Sequence, residues 1–172
     1  MLTYVVEGSG TYELLAGPAE PVAAGSVHLL TAPSTVGHAI NPGKGQTLRW
    51  FGVVVSLPEA APHEVRDRSS PAGEPEAGPD GFSFRSLVGP GSPIPSAAGM
   101  EVASLHFAFE ATTFRPMGHA SLAVCYALAG RGRIDSEGIE GGEAALIDET
   151  AGIAIHGEPG FRAVIVRVPR PT

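Results

Sequence analysis

The chain is poor in cysteine, in positive charge and in long apolar runs. Cys125 is the only cysteine in 172 residues, so no internal disulfide can form, and the sequence does not read as a small secreted domain held by bridges. No window holds the roughly 18 uninterrupted apolar residues that a membrane helix needs. The amino terminus, MLTYVVEGSG, has no basic stretch leading into an apolar one. These absences lead us to expect a cytoplasmic protein with no membrane partner. Basic residues number 11 against 18 acidic ones, a formal net charge of −7. Nonspecific nucleic-acid binding draws its affinity from neutralising phosphates, so no nucleic-acid partner is expected; neutral, small or cationic partners fit better.

What is present is turn chemistry and short strands. Glycine (23) and proline (16) are abundant while the hydrophobic fraction stays at 43%, an ordinary globular value. Glycine and proline sit between short apolar runs without a fixed period, as hairpin turns do. Strands are expected at Leu2 to Val6, Thr11 to Leu15, Val27 to Thr31 and Gln46 to Val55. In the second half they are expected from Phe82, within 99–110, and at 122–128, 133–135, 143–147, 152–155 and 162–168. Residues 99–110 alternate cleanly, with Leu105, Phe107 and Phe109 on one face and Ser104, His106 and Ala108 on the other. No segment of helical period interrupts the series, so the reading is all-β, a sandwich or barrel. Residues 56–80 hold five prolines, many acids and few large apolar side chains, and read as a linker or exposed crossing with room for a helical turn at 62–68. The expected organisation is an amino-terminal barrel at 1–58, a linker at 59–80 and a carboxy-terminal barrel at 81–172.

An internal echo sharpens this. YVVEGSGTYEL at 4–14 matches YALAGRGRIDS at 126–136, and each leads through a glycine turn (Gly25, Gly142) into an apolar strand. Strand, Gly-x-Gly turn, strand, then glycine and an apolar strand resembles the cupin signature. AAGSVHLLTAPSTVGHAIN at 23–41, followed by TLRWFGVVVSLP at 47–58, is similar to the pirin family. FRSLVG at 84–89, the strand at 101–110, YALAG at 126–130, GGEAALID at 141–148 and GEPGFRAVIVRVP at 157–169 resemble its carboxy-terminal domain. The resemblance covers nearly the whole chain and implies a bicupin, two cupin-like jelly-roll barrels, the first shortened at its amino terminus.

In pirins, three histidines and a glutamate of the first barrel hold an iron-like metal, and the family is associated with quercetin dioxygenation and with binding transcriptional regulators. His38 matches the third histidine, but Ile40 stands at the glutamate position. The first two histidines belong to a stretch that would precede Met1, together with the strands that carry them. In the second half a cupin set would place ligands at Met117, His119, Ala123 and Ile153, and His119 alone is a histidine there; His156 lies three residues further on. A facial ligand set needs at least three inward donors, so neither a metal nor another cofactor is expected.

Individual residues carry two readings each. His38 is a candidate general base at the mouth of the first barrel, or a turn histidine bonded to local backbone. His106, flanked by Ser104 and Ala108, is the second catalytic candidate, lining a cavity or lying on an exposed sheet face. Tyr4, Trp50 and Phe51 are candidate pocket walls for an aromatic ligand, or core aromatics. His119 is a further pocket candidate. A dyad of His119 with Cys125 would have to close about 20 Å of extended strand, so Cys125 reads as a small buried hydrophobe. His28, in an apolar strand, reads as a satisfied sheet residue.

The expected function is metal-independent binding or transformation of a small, largely apolar cyclic metabolite. The alternatives are a pirin-like regulatory module without catalysis and a dioxygenase using non-standard ligands such as His28, His38 and His106. A shortened first barrel would expose a sheet edge, so a homodimer paired through such edges is also expected.

Overall fold

In the computed structural model the described residues are 1–14, 17–32, 37–55, 66–70, 76–77, 81–96, 99–116, 121–148 and 152–170. The chain divides into two compact units, Met1–Gly73 and Glu74–Thr172. All described secondary structure is strand, and the strands pair antiparallel.

The first unit contains β1 (Leu2–Glu7), β2 (Ser9–Leu14), β3 (Glu20–Ala23), β4 (Val27–Thr31), β5 (His38–Pro42), β6 (Arg49–Val53) and β7 (Arg66–Ser70). They form a sheet ordered β6-β1-β4-β7 and a second ordered β3-β2-β5. The β1–β2 corner turns at Gly8, whose φ is +85° and whose hydrogen faces the Thr47 carbonyl; an added Cβ would lie 2.0 Å from that oxygen. Only glycine meets both demands. Side chains alternate across each strand and cross-strand partners share a face. Thr3 pairs with His28 and with Gly52, and Val5 pairs with Trp50. Leu30 pairs with Asp67, which puts Asp67 on the His28 face. In the smaller sheet Tyr12 pairs with Glu20 and Ile40, and Leu14 pairs with His38. Val5, Tyr12 and Val22 form one buried cluster with Leu14, Ile40 and Leu48 packed against it. That cluster identifies these two faces as the interior of the first barrel.

The second unit contains β8 (Glu76–Ala77), β9 (Phe82–Val88), β10 (Glu101–Phe107), β11 (Ala111–Pro116), β12 (Ser121–Ala129), β13 (Arg131–Ile134), β14 (Glu137–Glu140), β15 (Ala144–Asp148), β16 (Gly152–Gly157) and β17 (Arg162–Pro169). Their orders are β15-β12-β17-β10-β9-β8 and β11-β16-β13-β14. Small inward residues on β12 and β17 (Ala123, Cys125, Ala127, Ala163) leave room for Leu105, Phe107, Ile153, Ile155 and Phe161 in one core. Phe107 stacks near Phe82 and Phe161, with ring centroids 5.7 and 5.8 Å away.

The all-β, two-barrel architecture is the one the turn pattern implied. Within 59–80, where the composition suggested a linker, the described residues instead include β7, paired with β4, and β8, paired with β9. Arg66–Ser70 is therefore sheet, not part of a helical turn.

Candidate functional site

The interior of the first barrel gathers polar and aromatic groups. Tyr12 stacks on His28, with centroids 4.0 Å apart and planes 21° apart, and lies 5.9 Å from His38 in a tilted arrangement. Thr3, Tyr12 and His28 are almost completely buried, at 1%, 2% and 4% exposure. Thr3 Oγ1 and His28 Nδ1 have no hydrogen-bond partner, whereas the Tyr12 hydroxyl lies toward the Asp67 carboxyl. Buried polar atoms are normally satisfied, and each one left unmade costs about 1–3 kcal/mol. Two of them on paired interior positions are groups that a bound molecule or ordered water would satisfy. Trp50 packs against Gly52, where an added Cβ would come within 2.5 Å of the indole. Being on edge strand β6, Trp50 remains 48% exposed.

The electrostatics follow from burial. Burial lowers the His28 pKa, while Asp67 and Glu20 act in the opposite direction. The Tyr12 hydroxyl is pushed up to about 12, first by burial and then by Asp67. Asp67 is held above the usual carboxylate range by burial, against the pull of His28. Near neutral pH these shifts favour a neutral imidazole beside a neutral phenol. The site sets these uncharged groups beside the Asp67 carboxyl, with the stacked Tyr12 and His28 rings between them.

The second unit holds a cavity of about 360 Å³. Arg115 pairs with Ile153 on β16, Glu101 with Arg167, and Ala103 with Ile165, and all six residues line this cavity together with Phe84. The Arg115 guanidinium stacks 3.5 Å above the Phe84 ring. Arg167 Nη2 makes an ion pair with Glu101 Oε2, both side chains being partly buried.

The sequence candidates are scattered. His38 and Trp50 occupy interior positions of the first barrel. Tyr4 and Phe51 pair with each other on the opposite face. His106 is exposed on β10, opposite Arg162 and Ser83, on the face turned away from Leu105 and Phe107. His119, with Met117, lies outside the described residues. Cys125 is buried, and burial pushes its thiol up to about 12, which suits an inert core residue. His28 is not a satisfied sheet residue, because its Nδ1 lacks a partner. Thr3, Tyr12, Arg115 and Arg167 were not singled out by sequence. Their signal was alternation: Thr3 and Tyr12 share faces with Val5 and Leu14, and Arg167 continues the inward register of Ala163 and Ile165. A surface chain runs from Thr112 Oγ1 to His156 Nδ1 (3.0 Å) and from His156 Nε2 to Glu110 Oε1 (3.5 Å). Thr112 and Glu110 are exposed, so nothing there excludes water from a reacting group.

No family model matches the chain, and no curated protein matches it. Solved structures do. Quercetin 2,3-dioxygenase from Acinetobacter baumannii superposes with a TM-score of 0.81 at 17% identity, over 98% of this chain and 58% of that one. The Escherichia coli pirin YhhW, solved in complex with nickel(II), gives 0.79 at 18% identity, over 99% and 72%. GK1651 from Geobacillus kaustophilus gives 0.78 at 16%, over 99% and 75%. The chain thus spans a little over half the length of the first of these. The fold is that of the cupins, and within them the two-barrel arrangement of the pirin-like bicupins.

The metal that this fold implies is not matched by the residues present. His38 and Ile40 both face inward, so the position that would supply a carboxylate supplies a butyl side chain. In the second barrel Ala123 and Ile153 are buried at ligand positions. Among the described residues no group of three or more His, Cys, Asp or Glu is arranged to hold a metal ion.

Proposed function

We propose that the chain binds a small, largely apolar cyclic metabolite inside its amino-terminal barrel, through shape and uncharged hydrogen bonds in place of a metal. The observation that carries this is the pair of buried, unpartnered polar atoms on Thr3 and His28 beside the ring of Tyr12 stacked on His28. Such pockets characteristically combine apolar walls with a few placed polar groups. His38, 5.9 Å from Tyr12, is the group placed to take or give a proton should the bound molecule be transformed. Quercetin, the substrate in the name of one structural neighbour, is the first probe. In calorimetric titrations quercetin is expected to bind equally well with and without EDTA. Tyr12→Phe and Thr3→Val each remove one polar atom and keep the packing, and are expected to weaken binding about two- to tenfold. Unchanged affinity in both variants would reject the reading.

A second reading, a protein-interaction module, is favoured by the exposure of Phe109 (69%), Phe114 (65%) and Leu146 (68%). Large apolar side chains left in water mark contact surfaces when they cluster. Pairing of edge strands such as β6 would make a homodimer. Sedimentation equilibrium is expected to return twice the chain mass, and a monomer at all concentrations would reject edge pairing.

A further inference from the structure

The interior groups of the first barrel suit a ring and leave its charge open, but the rim of that barrel carries charge of one sign. Glu20 is the cross-strand partner of Tyr12 and shares a face with Val22 of the buried cluster. Asp67 is the partner of Leu30 and Ser69 the partner of His28, so Asp67 stands on the same face as His28, one pleat along. Both acids therefore occupy inward-facing positions, yet both are exposed, as residues at the opening of a barrel are. Beneath them Tyr12 and His28 stack with ring centroids 4.0 Å apart, and Thr3 Oγ1 and His28 Nδ1, on residues only 1% and 4% exposed, have no partner. Burial foremost, and then Glu20, holds the Asp67 carboxyl above the ordinary range, with His28 acting against them. Among the described residues no lysine or arginine side chain is set against Asp67. Burial lowers the His28 pKa, so its imidazole does not readily supply the missing cation.

We propose that the first barrel selects a small ring that carries a basic nitrogen, with Asp67 receiving the protonated nitrogen and Glu20 placing a second negative charge beside it. Thr3 and His28 then bond polar atoms of the ring itself. This rests on the reading of the first barrel as a binding site and adds to it the charge of the ligand. An ammonium–carboxylate bond is roughly twice as strong as a bond between neutral groups, and partial removal from water strengthens the attraction. An anionic ligand would meet two like charges at the rim, so the same acids discriminate against carboxylates. The formal charge of −7 draws cations toward the chain as a whole; Asp67 and Glu20 hold one at this place.

The test uses the full chain and three probes that share an indole ring and differ in charge: tryptamine (cationic at neutral pH), tryptophol (neutral) and indole-3-acetate (anionic). In calorimetric titrations at neutral pH and low salt, tryptamine is expected to bind about tenfold more tightly than tryptophol, and indole-3-acetate most weakly. Because net charge alone attracts amines, the variants decide. Asp67→Asn keeps an oxygen for the Tyr12 hydroxyl and changes the chain's charge by only one, and is expected to reduce the preference for tryptamine over tryptophol to below about threefold. Glu20→Gln alters an exposed side chain, which guards against a folding failure in the first variant, and is expected to lower the preference about twofold; circular dichroism checks both. Equal binding of tryptamine and tryptophol, or a preference that survives both substitutions, overturns the inference. Quercetin binding without tryptamine binding overturns it as well, and leaves the first-barrel reading standing. That reading fails separately, when Tyr12→Phe and Thr3→Val leave quercetin affinity unchanged.

Discussion

Burial discourages a charge on His28, and the consequence is a pH-dependent stability. Its folded pKa lies below the ordinary 6.5, so as pH falls past that value the unfolded chain takes up a proton that the folded chain resists. Stability is therefore full above about pH 6.5 and declines as pH falls through the lowered folded value. Asp67 acts in the reverse sense and in a lower window. Its folded pKa is raised above 3.8, so its contribution is fully present below about 3.8 and is lost as pH rises through the raised value. Urea denaturation at a series of pH values should show the midpoint falling from about pH 7 to pH 5. His28→Leu should flatten that slope, and an unaltered slope would locate the titration elsewhere. Sequence alone could name His28 but not its state, because burial depends on the partner sheet that carries Tyr12.

At the scale of strands, close approach is set by glycine as much as by the large residues. Gly157 on β16 faces Phe107, and a Cβ there would fall 2.3 Å from the ring. Phe107 is wholly buried and has no room to retreat. Gly157→Ala is expected to cost about 1–3 kcal/mol, the usual range for overpacking, measured as a lowered denaturation midpoint at constant m-value. Strands with alternating apolar residues, such as β10, β12 and β17, were legible in the sequence because their inward faces are apolar apart from Glu101 and Arg167 at the cavity. Those that escaped notice break that rule. Arg66–Ser70 has no apolar side chain at all; its strand character comes from pairing with β4. Glu137–Glu140 buries only Ile139. In Ala111–Pro116 the polarity is inverted: Phe114 is exposed while Thr113 is buried and Arg115 reaches the cavity. An inverted strand looks like no strand to a reading based on hydrophobic alternation. The same inversion hid the arginine pair, and a search for polar residues in an otherwise inward register would have found it.

For the molecule as a whole, the two units carry one fold with two interiors, Thr3, Tyr12, His28 and Asp67 in the first and the Arg167–Glu101 ion pair at the cavity of the second. The proposed site of the first barrel draws its described residues from one unit, Met1–Gly73. The indole that packs against Gly52 adds a practical consequence. Trp50 is the only tryptophan in the chain and belongs to the first unit, so its fluorescence reports on that unit alone, whereas circular dichroism averages over both. A thermal melt followed by the two signals together distinguishes units that unfold in concert, for which the curves coincide, from units that unfold in sequence, for which the indole records only its own.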